Sequence, residues 1–286
     1  VKDARESKAE TYPLTWRGDR VYLPIIRVET DWVLLNLDNG RTQAEQELEA
    51  RDANDFELFS DPISGRAQEA QARILRTQDP GAYKALCEDL RIRGQREPGV
   101  VTAAGVLVNG NRRCVALRDV GVQYMTVVVL PEGALPKEIR ALEVELQIAR
   151  DFREDYSDVN RLLIIEQLLH ADNYTIEEVA RRLRLTERDV QTERGILALM
   201  KEYLQETDGL ELLASLDGKY QVFKETYERI KELEAKSEFY RADRLKHNKF
   251  IAIFGGTGYR ETRNVDERYA ETYVAAALQN NSAVRD

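Results

Sequence analysis

One segment constrains this chain more than any other: Val106-Leu-Val-Asn-Gly-Asn-Arg-Arg-Cys-Val-Ala-Leu117. An apolar strand runs into Gly110, then a polar residue, two arginines and a helix with an Ala/Leu face. A strand that stops at glycine and restarts as a helix leaves backbone N–H groups without partners at the helix start. Those donors, the positive end of the helix dipole and two adjacent guanidiniums favour an anion. The bland alternative is that Arg112 and Arg113 are solvated first-turn residues. Arginine is unfavourable there, however, unless an anion compensates it.

The flanking pattern is regular. Ala82 to Arg93 reads as an amphipathic helix closed by Gly94. Val100 to Thr102 is a strand, Ala103 to Gly105 a tight turn, and Val106 to Val108 the paired strand. A helix from Arg112 to Asp119 stops at Gly121, and Met125 to Leu130 is a buried strand closed by Pro131. The order strand–turn–strand–helix–strand predicts a small α/β unit. Upstream, Val21 to Leu37 is extended, and Asn36-Leu-Asp-Asn-Gly-Arg41 is a turn with Asn-Gly at its tip. Residues 42–75 read as polar, solvent-facing helices broken at Asp61-Pro62 and Ser64-Gly65. Residues 1–20 read as a flexible arm.

After Pro136 the pattern is helical: Lys137 to Phe152, Asp158 to His170, Thr175 to Leu183, Thr186 to about Leu204, Tyr220 to Leu233 and Asp266 to Leu278. The Asp158–His170 helix is apolar nearly all round and should be central. The aromatic stripe of the Tyr220 helix marks either a core or a dimer seam. Gln205 to Gly209 and Asn248 to Asn264 are the candidate boundaries. Phe254-Gly-Gly-Thr-Gly258 lacks the following Lys-Ser/Thr of a phosphate loop and reads as a turn.

The charge balance is acidic, 42 Lys and Arg against 51 Asp and Glu, which argues against broad nonspecific nucleic-acid binding but leaves a local basic patch open. Cys87 and Cys114 stand far apart with no C-x-x-C, so neither structural zinc nor a disulfide framework is expected, and both should be free thiols. His170 and His247 form no triad or metal pair. No apolar run approaches the ~20 residues a membrane span needs, and no signal peptide is visible. No membrane association and a cytoplasmic location are expected.

Arg91-Ile-Arg-Gly-Gln-Arg-Glu-Pro98, followed by Val106 to Ala116, resembles the ParB/sulfiredoxin-like family. The shared order is a helix ending in Gly, a polar stretch with Pro, two strands, then Gly-x-Arg-Arg opening a helix with Ala inside it. The turn ending in Arg41 is similar to the family's first motif. The resemblance covers about residues 21–150. It implies a cradle for the triphosphate of a nucleotide, CTP or ATP, with Gly94, Arg96, Gly110, Asn111, Arg112 and Arg113 as the phosphate-facing residues. Fork-shaped guanidiniums suit phosphate oxygens. Glu143-Val-Glu-Leu-Gln147 stands where the family holds Mg2+, so Glu143, Glu145 and Gln147 become the metal candidates, as hard oxygen donors. A solvated helix face is the alternative. The sequence also departs from the family. Asn111 replaces an acidic residue or His, Glu97 replaces the Gln before Pro98, no Asn accompanies Gln147, and sulfiredoxin's reactive Cys is absent.

Thr175-Ile-Glu-Glu-Val-Ala-Arg-Arg-Leu-Arg-Leu-Thr-Glu-Arg-Asp-Val190 predicts two capped helices joined by a tight turn, a helix-turn-helix pattern that the family places after its nucleotide domain. Arg188, Gln191, Thr192 and Arg194 of the second helix would face DNA. Arg184 stands where the turn glycine is usual.

These readings assign an α+β chain: an arm over 1–20, a ParB/sulfiredoxin-like domain over 21–152 with a polar insertion at 42–75, a helix-turn-helix-like domain over 153–205, and a helical region over 206–286. The implied function is that of a nucleotide-responsive DNA-binding protein, homodimeric, of segregation, regulation or defence type. Two alternatives stay open. One is an enzyme on the same scaffold, a weak NTPase, a nuclease or a small-molecule phosphotransferase, with Glu97 as its candidate base. The other is a protein-interaction module without nucleotide.

Overall fold

The structure is a computed structural model and describes residues 10–148, 157–207 and 211–267. The chain forms two compact units, Val1–Val190 and Gln191–Asp286. The first is built on a five-stranded sheet of β1 (Thr11–Trp16), β2 (Asp19–Glu29), β3 (Gly99–Val101), β4 (Leu107–Asn109) and β5 (Tyr124–Val129). Their spatial order is β1-β2-β5-β3-β4, with β3 parallel to β5 and the other neighbours antiparallel. The helices of this unit are α1 (Gln43–Asp52), α2 (Gly65–Thr77), α3 (Pro80–Arg93), α4 (Asn111–Asp119), α5 (Pro136–Ile148), α6 (Asp158–His170) and α7 (Ile176–Leu183).

Strand alternation gives the sheet two buried faces. Met125 and Val127 of β5 join Val101 and Leu107 in a core with Ala72 and Leu75 of α2, Tyr83 and Leu90 of α3, and Cys114, Val115 and Leu117 of α4. Val128 points the other way, into a cluster with Leu14, Trp16, Val100, Val108 and Leu142. A further cluster joins Val144 to Ile164, Ile165, Leu168, Val179, Leu183 and Val190. Helix α3 starts with Pro80 behind the Asp79 cap, whose carboxylate accepts from the Ala82 N–H at 2.9 Å, and ends at Gly94 with φ +69°. Helix α7 carries the reciprocal cap read from the sequence: Thr175 Oγ1 accepts from the Glu178 N–H at 3.2 Å, and Glu178 Oε2 accepts from the Thr175 N–H at 2.8 Å.

Helix α8 (Glu187–Glu206) follows. Thr186 and Asp189 repeat the reciprocal cap, at 3.1 and 3.0 Å. The second unit contains α9 (Tyr220–Ala235), α10 (Phe239–Phe254) and α11 (Tyr259–Asn264). Its core centres on Tyr203, Phe223 and Phe250, with Tyr203 edge-on to both phenylalanines at centroid distances of 5.6 and 5.3 Å. Phe223 is fully buried, so the aromatic stripe of α9 serves the core. Gly195 lets Tyr227 lie against the α8 backbone, because a Cβ at 195 would fall 2.1 Å from the Tyr227 ring.

The expected chain organisation needs correction at three places. Thr11–Trp16 lies inside the expected arm, yet pairs with β2 and buries Leu14 and Trp16. Residues 42–75 are not solvent-facing throughout: Ala67, Ala70, Gln71, Ile74 and Leu75 are buried, because small side chains let α2 approach its neighbours closely. Asn248 to Asn264, expected as a boundary, carries the end of α10 and all of α11, with Phe250, Ala252 and Ile253 buried. The expected helix Asp266–Leu278 falls mostly outside the described residues. Among the described residues no helix is long and apolar enough to cross a membrane.

Asp119 ties α2, α3 and α4 together. It accepts from Arg76 Nε and Nη2 at 2.9 and 2.8 Å, and from the Tyr83 hydroxyl at 2.7 Å. The Arg76 guanidinium is the main cause that holds the Asp119 carboxyl below its ordinary range, against the opposing pull of burial. A folded-state value below the unfolded one gives stability that is complete above the unfolded carboxylate pKa of about 4 and is lost as pH falls through the folded value. Asp119→Asn should therefore cost about 1–2 kcal/mol at neutral pH, and the deficit should close in acid. Urea denaturation of both proteins at pH 7 and pH 3 checks this, and a deficit that does not narrow in acid would contradict it.

Candidate functional site

Helix α4 starts where the sequence predicts. Gly110 takes φ +103°, a left-handed conformation that L side chains rarely adopt, and a Cβ there would meet the Gly99 Cα at 3.4 Å. The first intrahelical bond runs from the Cys114 N–H to the Gly110 carbonyl at 2.8 Å. The N–H groups of Asn111, Arg112 and Arg113 have no intrahelical acceptor, and their dipoles point out of the helix start.

A cavity of about 390 Å3 opens at this point. One wall is Asn109, Gly110, Asn111, Arg112 and Arg113. A second is Asn39 and Arg41 from the turn before α1. Gln78 follows α2, and Leu75, Ala82, Leu86 and Leu146 supply apolar surface. Three arginines line the cavity, and none of its described lining residues is acidic. Arg112 Nη2 donates to the Asp79 carbonyl at 3.0 Å, whereas its Nε is buried with no hydrogen-bond partner. A buried guanidinium N–H without an acceptor is costly, and an anion in the cavity would satisfy it.

Arg113 is held differently. Its Nη1 donates to the Glu97 carbonyl at 2.6 Å and to that of Pro98 at 3.4 Å, and its Nη2 lies 3.8 Å from the Glu97 carboxylate. Arg113 thus anchors the approach to β3 as well as lining the cavity. Asn111 is buried, and its Oδ1 accepts from the Asn36 N–H at 2.8 Å, so this side chain fixes the turn. Within the turn, Asn36 Oδ1 accepts from Asp38 N–H and Asn39 Oδ1 from Arg41 N–H, both at 3.0 Å. The Arg41 carbonyl accepts from Gln78 Nε2 at 2.6 Å and from Asn160 Nδ2 at 2.8 Å. Fully buried Gln71 donates to Thr42 Oγ1 at 2.9 Å. This polar lattice presents Arg41 and Asn39 to the cavity.

The remaining expected phosphate contacts do not reach the cavity wall. Gly94 closes α3, and exposed Arg96 and half-buried Glu97 are not among the lining residues. The metal candidates diverge. Glu145 binds Arg182 of α7 at 2.6 Å, and Glu143 is 2% exposed with Oε2 3.5 Å from Asn36 Nδ2. The Gln147 side chain lies outside the described residues. Among the described residues no group of three or more His, Cys, Asp or Glu could hold a metal ion. Cys114 is fully buried, its thiol 3.7 Å from the Thr30 carbonyl, and burial pushes its pKa up to about 11. A buried thiol with a raised pKa is a poor nucleophile.

Asn39, Arg41, Gln78 and Asn109 belong to the cavity but escaped the sequence-based set. The turn ending in Arg41 was the available signal. Gln78 and Asn109 gave none, because amides between elements carry no pattern of their own. In the capped helix pair, Arg188, Gln191 and Arg194 are exposed and Thr192 is half-buried. Arg184 in the joining turn takes φ +52°, the left-handed position that favours glycine.

No family model and no curated protein matches this chain. Solved structures do match it. The C-terminally truncated chromosome-partitioning protein ParB from Caulobacter crescentus, complexed to the centromeric parS site, is 16% identical, covers 86% of this chain and 99% of its own, and scores a TM of 0.39. The same protein complexed with CTP-gamma-S is 15% identical over 71% of this chain and 91% of its own, with a TM-score of 0.30. The C2221 form of a Pnob8-like ParB-N domain is 12% identical over 79% and 85%, with a TM-score of 0.42. All three are ParB structures.

Proposed function

We propose that this chain is a ParB-like, nucleotide-responsive DNA-binding protein, and that the cavity at the start of α4 receives the phosphates of a nucleoside triphosphate, CTP or ATP. The observation that carries the reading is the cavity itself: Arg41, Arg112 and Arg113 around a glycine-capped helix start, with no acidic residue among those described in its lining. Its volume of about 390 Å3 falls within the ~300–1,000 Å3 of small-molecule sites. The buried, unpartnered Arg112 Nε supports an anionic occupant. Glu97 stands outside the lining, so the geometry favours binding over a reaction that uses Glu97 as base.

The capped α7–α8 pair is the proposed helix-turn-helix, with Arg188, Gln191, Thr192 and Arg194 toward DNA. The exposure of Arg188, Gln191 and Arg194 supports that role. The homodimer rests on the family resemblance and would match a two-fold DNA site.

Thermal unfolding with CTP, ATP and GTP tests the nucleotide reading. A nucleotide at ~100 times its dissociation constant should stabilise the protein by about 2.7 kcal/mol, which for a unit of this size raises Tm by about 5–10 °C. No shift with any nucleotide, with or without magnesium, would overturn it. Duplex binding should weaken steeply with salt, and no association at low salt would remove the DNA half of the proposal.

A further inference from the structure

We infer that the arginine cavity takes its polyphosphate as the free anion rather than as a magnesium chelate. The inference rests on the nucleotide reading and concerns how the charge of the ligand is balanced. Magnesium needs hard oxygen donors at about 2.0–2.1 Å and is usually held by one or two carboxylates beside the phosphates. The residues present do not fit that requirement. None of the described lining residues is acidic. The two acids on α5 nearest the family's metal position are engaged elsewhere. Glu145 is bound to Arg182 at 2.6 Å, and Glu143 is buried with Oε2 3.5 Å from the Asn36 amide.

Nor do the Asn111 and Asn39 amides at the rim replace them. Asn111 Oδ1 already accepts from the Asn36 N–H and Asn39 Oδ1 from the Arg41 N–H, at 2.8 and 3.0 Å. Releasing either oxygen for a metal would undo the turn that presents Arg41. The field also opposes a divalent cation, because three arginines and the positive end of α4 line one volume. Those charges balance a polyphosphate directly, and fork-shaped donors supply the contacts a metal would otherwise make.

Calorimetric titration of the full chain with CTP and with inorganic triphosphate, in EDTA and in excess magnesium, tests the inference. Affinity in EDTA should equal that in magnesium within about 3-fold, or exceed it, since magnesium competes with the arginines for the same oxygens. Glu145→Gln should leave the dissociation constant unchanged in both buffers. Binding that tightens by about 10-fold or more with magnesium, or a loss of affinity confined to the magnesium buffer in Glu145→Gln, would overturn the inference while leaving the nucleotide reading standing. Absence of binding in both buffers would overturn both.

Discussion

Arg112→Ala is expected to weaken nucleotide binding by about 10- to 100-fold, the loss of one charge-assisted contact worth roughly 1.5–3 kcal/mol. The ligand-free protein should keep its stability nearly intact. Arg112 is tied to the fold by the hydrogen bond from Nη2 to the Asp79 carbonyl, and the same substitution removes the buried Nε that has no partner. The lost contact and the relieved burial offset each other in the absence of ligand. Calorimetry for affinity and thermal unfolding without ligand separate the two quantities. Unchanged affinity would mean that Arg112 is a solvated first-turn residue. A large drop in ligand-free Tm would mean that its role is structural.

Asn160→Ala should behave in the opposite way. Asn160 is fully buried on α6, and its side chain makes three contacts. Its Oδ1 accepts from the Ala44 N–H at 3.0 Å, and its Nδ2 donates to the Arg41 carbonyl at 2.8 Å and to the Glu45 carboxylate at 2.9 Å. Truncation leaves a buried N–H and a carboxylate oxygen without this partner, and also opens a small void. The expected cost is about 2–4 kcal/mol, or on the order of 10 °C in Tm. Affinity should fall as well, because Asn160 and Gln78 share the carbonyl of Arg41 and so hold the turn that delivers its guanidinium. Asn160→Asp keeps the acceptor for Ala44 but sets a carboxylate against Glu45, so it should not rescue stability at neutral pH. A variant as stable as the parent would show that the turn is held by its own bonds alone.

The contrast between these residues shows where the sequence was informative. The strand–Gly110–helix junction, the Gly94 stop and the Thr175 and Thr186 caps are local signals. Each depends on a few neighbouring residues, so each is readable without knowing the fold. The burial of Asn160 among the apolar residues of its helix is not local, since its partners lie more than a hundred positions away. The pairing of Glu145 with Arg182 is likewise tertiary, and only the fold supplies that partner. Strand β1 was missed because the alternation of Tyr12, Leu14 and Trp16 is short, and its meaning depends on pairing with β2. Helix α2 was misread because alanine and glutamine are as common on wet faces as on close-packed ones. Only contact shows that Ala67, Ala70 and Gln71 are fully buried.

The cavity follows the same division. Its glycine and two of its arginines were legible as a helix start. Arg41 required the turn to fold back onto that start, through Asn36 to Asn111. The helix pair was legible from its caps, while the engagement of Glu193 with the Tyr220 hydroxyl, at 3.0 Å, needed the fold. That contact occupies an acidic side chain whose charge would oppose phosphate along α8.

The central claim is that a nucleotide's phosphates sit between the α4 start and the Arg41 turn. Hydrogen exchange with and without saturating CTP or ATP tests this most directly, because it reports location as well as binding. Slowed exchange is predicted at the amides of residues 110–114 and 39–42. Protection confined to other segments, or none in a sample saturated with ligand, would contradict the account.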